Sequence, residues 1–160
     1  MRVTFLDLAV ALLALGLLAA LAWGWGRSST GGAGALLASP TLTPGAFNSE
    51  VTQATIRTTI CVRGWTRTVR PPSSYTSALK REQLRLFGLR GPPSAYQEDH
   101  LISLELGGSP TDRRNLWPEP YPRAAVVDRI ENDLNAKVCS GELTLADARS
   151  REAALKHENG

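Results

Sequence analysis

Cysteine is scarce in this chain of 160 residues: the only two, Cys61 and Cys139, lie far apart. This spacing excludes a CxxC redox motif and a metal site built on paired cysteines. No internal repeat is visible, which excludes a repeat architecture. After the first 26 residues the chain also lacks an apolar run long enough to cross a bilayer as a helix.

The chain has no strong excess of charge of either sign, since its formal net charge is +3 and its sequence pI is about 9.2. Charged residues make up 21% of the chain and are well mixed, which argues against wholesale disorder. Mild basicity suits a nucleic-acid partner, but an ordinary solvated surface explains it at least as well. Charge alone therefore does not select a function.

An apolar segment begins the chain. Residues 5–25 are almost uninterruptedly apolar, and Asp7 is the one charged residue among them. About 20 apolar residues span a bilayer as a helix, so residues 1–26 are predicted to be a transmembrane anchor. A cleaved signal peptide is the alternative, because Ala20 and Ala22 suit a cleavage site. Either segment would place the rest of the chain outside the cytoplasm, anchored to the membrane or secreted.

A linker and a single domain are predicted to follow. Residues 27–48 are rich in Gly, Ser, Thr and Pro, which is typical of a flexible linker. Residues 49–160 are predicted to form one domain of roughly 110 residues with a modest core. Its two cysteines are either buried thiols or one disulfide. An oxidising compartment favours a Cys61–Cys139 disulfide, which the chain-entropy model values at about 4–5 kcal/mol.

The first part of this domain carries short apolar and threonine-rich patterns. Alternation predicts strands near residues 58–62 and 66–69. A helix is predicted from residue 76 or 77 to about residue 86, with Gly88 after its end.

A strand, a glycine-rich loop, a second strand and a helix come next. The strands are predicted over residues 98–106 and 115–117, and the helical spacing of apolar residues predicts a helix over 122–139. A last helix is predicted to start at Thr144, with a polar tail that frays and leaves His157 solvated. The domain is therefore predicted to be α+β.

Three residues of this segment suit the hydrolysis of a phosphodiester bond. A neutral imidazole can deprotonate the attacking water near pH 7, which suits His100. A carboxylate that binds a divalent cation can offset the charge of the transition state, which suits Asp99. An amide across the hairpin can orient the imidazole, which suits Asn115. Because neighbours on a strand point to opposite faces, Asp99 and His100 can share a site only if the strand is bent or bulged.

Residues 99–108, followed by 115 and 116, resemble the DH-x-x-x-L-x-x-GG…NL signature of the HNH (His-Me finger) nucleases. The resemblance implies a small ββα-metal hairpin-plus-helix core with flanking helices, behind the N-terminal hydrophobic helix. It also implies that Asp99 binds a metal ion, that His100 is the general base and that Asn115 orients the base.

The sequence departs from this family at the second metal ligand. The family places a histidine or asparagine at the start of the helix, and the first turn of the helix predicted here has neither. The candidate ligands beside Asp99 are therefore Asp128, Glu131 and Asn132, whose spacing can put them on one helix face. Glu119 is a further option. Oxygen ligands favour one divalent ion such as Mg²⁺, with Mn²⁺ and Zn²⁺ as the other options.

Basic residues precede the site, among them Arg67, Lys80 and Arg81. They suit the backbone of a nucleic acid, although the solvation of an ordinary surface explains them about as well. The stretch from residue 59 to 141 is also similar to a group of small exported bacterial proteins. The sequence thus predicts a metal-dependent endonuclease that cleaves DNA or RNA without sequence specificity outside the cytoplasm. The alternative is a non-catalytic HNH-like envelope domain that binds a protein partner or a polyanion.

Overall fold

The computed structural model describes residues 37–158, which fold into a mixture of helices and one small sheet. In chain order the elements are α1 (Trp65–Val69), α2 (Ser73–Leu86), β1 (Tyr96–His100), β2 (Leu116–Pro120), α3 (Tyr121–Ser140) and α4 (Leu145–Glu158). The predicted α+β class is confirmed. None of the helices in this described part is both long and apolar enough to cross a membrane. The N-terminal segment predicted over residues 1–26 lies outside the described residues.

The sheet is an antiparallel pair in which Tyr96 lies opposite Pro120 and His100 lies opposite Leu116. The first strand ends at His100, earlier than predicted, and the chain passes into a 3-10 turn at Leu104–Leu106. The return strand continues to Pro120, beyond the end at residue 117 that the sequence predicted. A strand at the edge of a sheet tolerates proline, because the missing N–H need not pair with a neighbour.

The strands predicted near residues 58–62 and 66–69 are wrong. The first region contains a 3-10 turn at Ile56–Thr58 and the second is helix α1. Threonine hydroxyls explain the difference, because they bond nearby backbone carbonyls instead of leaving the chain extended. Thr59 donates to Thr55 O at 2.7 Å and Thr68 donates to Trp65 O at 2.7 Å. Such local bonds compete with a strand ladder.

The main core joins the turns before α1 to the last two helices. Its buried members are Val51, Ile56, Ile60, Ile102, Leu106, Leu134, Val138, Leu145 and Ala148. A disulfide between Cys61 and Cys139 closes a sequence separation of 78 residues beside this core, with a Cα–Cα distance of 5.6 Å. The cysteines predicted to pair are therefore joined.

The end of the predicted linker packs on the domain. Ala38 N donates to Lys156 O at 2.9 Å, and Gly45 N donates to Arg114 O at 2.9 Å. Ala38 is 2% exposed and Thr43 is fully buried. The folded unit therefore already includes residue 37, whereas the sequence predicted a start at residue 49.

Candidate functional site

A cleft of about 550 Å³ lies between β1, α2 and α3. Its lining is mostly polar and comprises Arg70, Thr76, Ser77, Lys80, Gln97, Glu98, Asp99, His100, Ser103, Leu104, Glu105, Tyr121, Asp128, Glu131 and Asn132. Consecutive residues of β1 line it together, although their side chains alternate between the faces of the strand. In the described part of the chain β1 pairs only with β2, so the other edge of β1 is not covered by a strand. Side chains from both faces of β1 can approach a cleft at that edge. Asp99 and His100 are both among the lining residues, and the β1–β2 register runs without a bulge.

His100 is held in one tautomer. His100 is 5% exposed, and its imidazole Nε2 lies 3.1 Å from Pro110 O. A carbonyl oxygen only accepts, so Nε2 must donate, which leaves the lone pair of Nδ1 for a proton. Burial lowers the pKa of His100 below its usual value, against a smaller upward effect of Asp99. The ring is therefore neutral near pH 7 and suited to act as a base.

Asn115 holds the loop of the hairpin. It is fully buried, its Oδ1 accepts from Ile102 N at 2.9 Å, and its Nδ2 donates to Ile102 O and Ser109 O at 3.0 Å each. Among the hydrogen bonds of the described residues, none joins Asn115 to the His100 imidazole. The predicted orienting role is thus indirect at most: Asn115 fixes the loop, and the Pro110 carbonyl of that loop contacts the ring.

The glycine pair of the loop is required by close packing. Gly107 has a φ of +72°, a left-handed conformation that side chains rarely adopt. A Cβ added at Gly108 would lie 1.7 Å from Ile102 O and 2.7 Å from Asn115 Nδ2. The sequence motif Gly-Gly therefore serves the packing of the loop against the Asn115 amide.

The buried ammonium of Lys156 forms ion pairs with two of the carboxylates predicted to bind a metal ion. Lys156 is fully buried, and its Nζ lies 2.9 Å from Asp99 Oδ2 and 2.6 Å from Glu131 Oε1. It also donates to the backbone carbonyl of His100 and lies 3.7 Å from Glu152 Oε1. Burial alone would lower the pKa of Lys156, but these three carboxylates hold it well above its usual value. Lys156 therefore stays charged in the interior.

The described residues do not fit the divalent ion that the sequence predicted. Within residues 37–158, no group of three or more histidine, cysteine, aspartate or glutamate side chains is placed to hold a metal. Asp128 and Asn132 do line the cleft with Asp99 and Glu131. Asp99 and Glu131, however, already share the ammonium of Lys156.

Glu119, the further candidate ligand, is fully buried in β2 and pairs with Arg123, four residues later in the chain. Its Oε1 lies 2.6 Å from Arg123 Nη1. This ion pair engages Oε1, whereas Oε2 is buried without a hydrogen-bond partner among the described residues.

One of the three predicted basic residues reaches the cleft. Lys80 lines it and donates through Nζ to Tyr96 O at 2.7 Å. Arg67 and Arg81 are exposed but are not among the residues that line the cleft, whereas Arg70 is. The positive charge available to a bound phosphate is therefore that of Arg70 and Lys80.

The sequence did not single out Lys156, Glu152 or Glu98. The i,i+4 spacing of Glu152 and Lys156 is a readable sign of an ion pair on a helix. This spacing was not used as evidence because the tail was predicted to fray, whereas α4 extends to Glu158. His157 is likewise not simply solvated, since its Nε2 lies 2.9 Å from Thr43 O.

Glu98 is a buried carboxyl group in the cleft that has no hydrogen-bond partner among the described residues. Burial raises its pKa from 4.5 to about 8, although Lys80 acts in the opposite direction. The folded chain thus holds a proton that the unfolded chain releases at lower pH. This contribution to stability is present at acidic pH and is lost as the pH rises through about 8.

We expect Glu98→Gln to flatten the fall in stability between pH 5 and 8, because the amide stays neutral throughout. The slope that is removed is at most about 1.4 kcal/mol per pH unit. Urea unfolding at several pH values measures it, with the exposed Glu142→Gln as the control. Identical slopes for wild type and Glu98→Gln would show that Glu98 does not titrate in this range.

Comparison with known proteins finds no significant similarity. No protein-family model matches the chain, and no curated protein or solved structure matches it significantly.

Proposed function

We propose that the described domain is an HNH-like (ββα) nuclease that hydrolyses phosphodiester bonds of DNA or RNA outside the cytoplasm. One observation carries the proposal: His100, whose imidazole Nε2 is fixed by Pro110 O, is among the residues that line a polar cleft. The hairpin β1–β2 with α3 directly after it supports the ββα assignment, as does the Asp-His, Gly-Gly and Asn pattern. The apolar N-terminal residues support export.

In this proposal His100 accepts the proton of the attacking water through Nδ1 as the water oxygen bonds to phosphorus. The bond from phosphorus to the leaving ester oxygen breaks, and that oxygen takes a proton from solvent water. Arg70 and Lys80 line the same cleft and supply positive charge toward the phosphate. Asp99 and Glu131 act through Lys156, which ties β1 to α3 and α4. No step is assigned to a metal ion, because Lys156 engages an oxygen of Asp99 and an oxygen of Glu131, two of the predicted ligands. Recognition through the phosphate backbone implies little sequence specificity.

We expect His100→Ala to reduce cleavage by at least about 100-fold, because general-base catalysis contributes about that much or more. The full chain is incubated with plasmid DNA and with a single-stranded RNA, in Mg²⁺, in Mn²⁺ and in chelator. His157→Ala is the matched control, since it removes the only other histidine of the chain. Equal cleavage by wild type and His100→Ala, or no cleavage by wild type, would contradict the nuclease proposal.

A second candidate is a non-catalytic HNH-like envelope domain that binds a protein partner or a polyanion. The ion pairs of Lys156 favour it, because they engage Asp99, the metal ligand that the resemblance implies, and Glu131, one of the candidate second ligands. The same assay separates the two candidates. Wild type that retains labelled DNA in a filter-binding experiment without cleaving it would support the binding domain.

A further inference from the structure

Lys156 Nζ sits in a shell of oxygens that come from three elements. Asp99 Oδ2 and the His100 carbonyl belong to β1, Glu131 Oε1 belongs to α3, and Glu152 Oε1 belongs to α4. An ammonium has three N–H donors, and three of these oxygens lie within hydrogen-bonding distance. The side chain of Lys156 is fully buried. The ammonium is thus a fully coordinated cation inside the fold.

The oxygens of this shell are of the kinds that a divalent metal site uses, although within residues 37–158 no three acidic, histidine or cysteine side chains are placed to hold an ion as they stand. Carboxylate and carbonyl oxygens are the ligands that hard divalent cations take. We infer that the ammonium of Lys156 is a tethered cation that fills this shell, so that Asp99 and Glu131 do not bind a divalent ion in the native chain. The inference goes beyond the proposed function, because it holds whether or not the cleft cleaves nucleic acid.

The tether is rigid, which favours the ammonium over a dissolved ion. The backbone of Lys156 accepts from Ala38 N at 2.9 Å, and the next residue, His157, lies 2.9 Å from Thr43 O through Nε2. One turn earlier, Glu152 accepts from Ser103 N at 2.9 Å. A group fixed in place has a high effective concentration and loses little further entropy on binding. A dissolved ion must first displace it and leave its charge without partners in the interior.

The test compares Mn²⁺ binding, by calorimetry, to wild type and to the double variant Lys156→Met/Glu152→Gln. The double change removes one positive and one negative charge, and glutamine retains an oxygen for Ser103 N. Asp99 and Glu131 stay available. We expect the variant to bind one Mn²⁺ at least about ten-fold more tightly than wild type. A folded variant that binds Mn²⁺ no more tightly than wild type would overturn the inference.

A second measurement needs no variant, in case the double change prevents folding. The native chain is acetylated in the presence and absence of Mn²⁺, and each lysine is assigned by mass spectrometry. Lys137, whose side chain is 34% exposed, should react in both samples, and Lys156 in neither. Modification of Lys156 only when Mn²⁺ is added would mean that the ion displaces it, against the inference. Neither readout uses cleavage, so a failed nuclease assay leaves this result standing.

Discussion

Replacing Lys156 alone with methionine is expected to lower the free energy of unfolding by about 3–5 kcal/mol, the usual cost of breaking a buried ion pair from one side. The change leaves Asp99, Glu131 and Glu152 in the interior without the cation that all three face. Methionine fills similar space, so most of the loss is electrostatic.

The pH dependence of this loss follows from the carboxyl groups. Burial raises the pKa of Glu131 well above its usual value and that of Glu152 to about 7, although Lys156 opposes both shifts. Without the ammonium these groups take up protons more readily, and a protonated carboxyl needs no cation. We therefore expect the destabilisation to be smaller at pH 5 than at pH 8.

Urea unfolding of wild type and Lys156→Met at both pH values measures this effect. Lys137→Met is the matched control, because Lys137 forms a single ion pair with Asp133 at 2.8 Å on the surface of α3. Exposed pairs of this kind contribute about 0.2–1 kcal/mol. If Lys156→Met and Lys137→Met cost the same, the buried cluster is not held together by its cation.

The second large effect is expected from the disulfide. Replacing both Cys61 and Cys139 with alanine should cost about 2–5 kcal/mol, because the unfolded chain then regains the freedom that a long loop closure removes. The separation of 78 residues lies toward the larger values of that model. The bond also joins the turns before α1 to the end of α3, beside the main core.

Urea unfolding with and without a reducing agent provides the measurement. Reductant should move the midpoint of wild type toward that of Cys61→Ala/Cys139→Ala and leave the midpoint of the variant unchanged. A wild type that does not respond to reduction, and unfolds at the same urea concentration as the variant, would show that the bond contributes nothing to stability.

Local patterns predicted the hairpin that carries Asp99 and His100. The Asp-His pair, the glycine pair and Asn115 are neighbours in the chain, so a short hairpin is enough to bring them together. The helix after it follows from apolar spacing, and Val127, Leu134 and Val138 are indeed buried on one side of α3. That spacing also placed Asp128, Glu131 and Asn132 beside Asp99 and His100 in one cleft.

Predictions of strands and of a side-chain contact failed where a polar side chain forms a hydrogen bond with a nearby backbone group instead. Strands were predicted near residues 58–62 and 66–69, but the threonine hydroxyls of these stretches bond nearby carbonyls and stabilise a turn and α1. Asn115 was expected to reach the imidazole, yet its amide is used on the backbone of Ile102 and Ser109. Composition and alternation do not say which of two available acceptors a polar group takes.

The sequence by itself determined the α+β class, the hairpin with its histidine, the helix that follows and the pair of cysteines. Only the tertiary structure decided which cation faces Asp99 and Glu131. Lys156 lies 57 residues from Asp99 and 25 from Glu131, and nothing in the local sequence marks a charged side chain there as buried. A helical repeat fixes neighbours within a helix, whereas the packing of α4 against β1 and α3 fixes which distant charges must share an interior without water. That packing placed an ammonium where the pattern of carboxylates had predicted a metal.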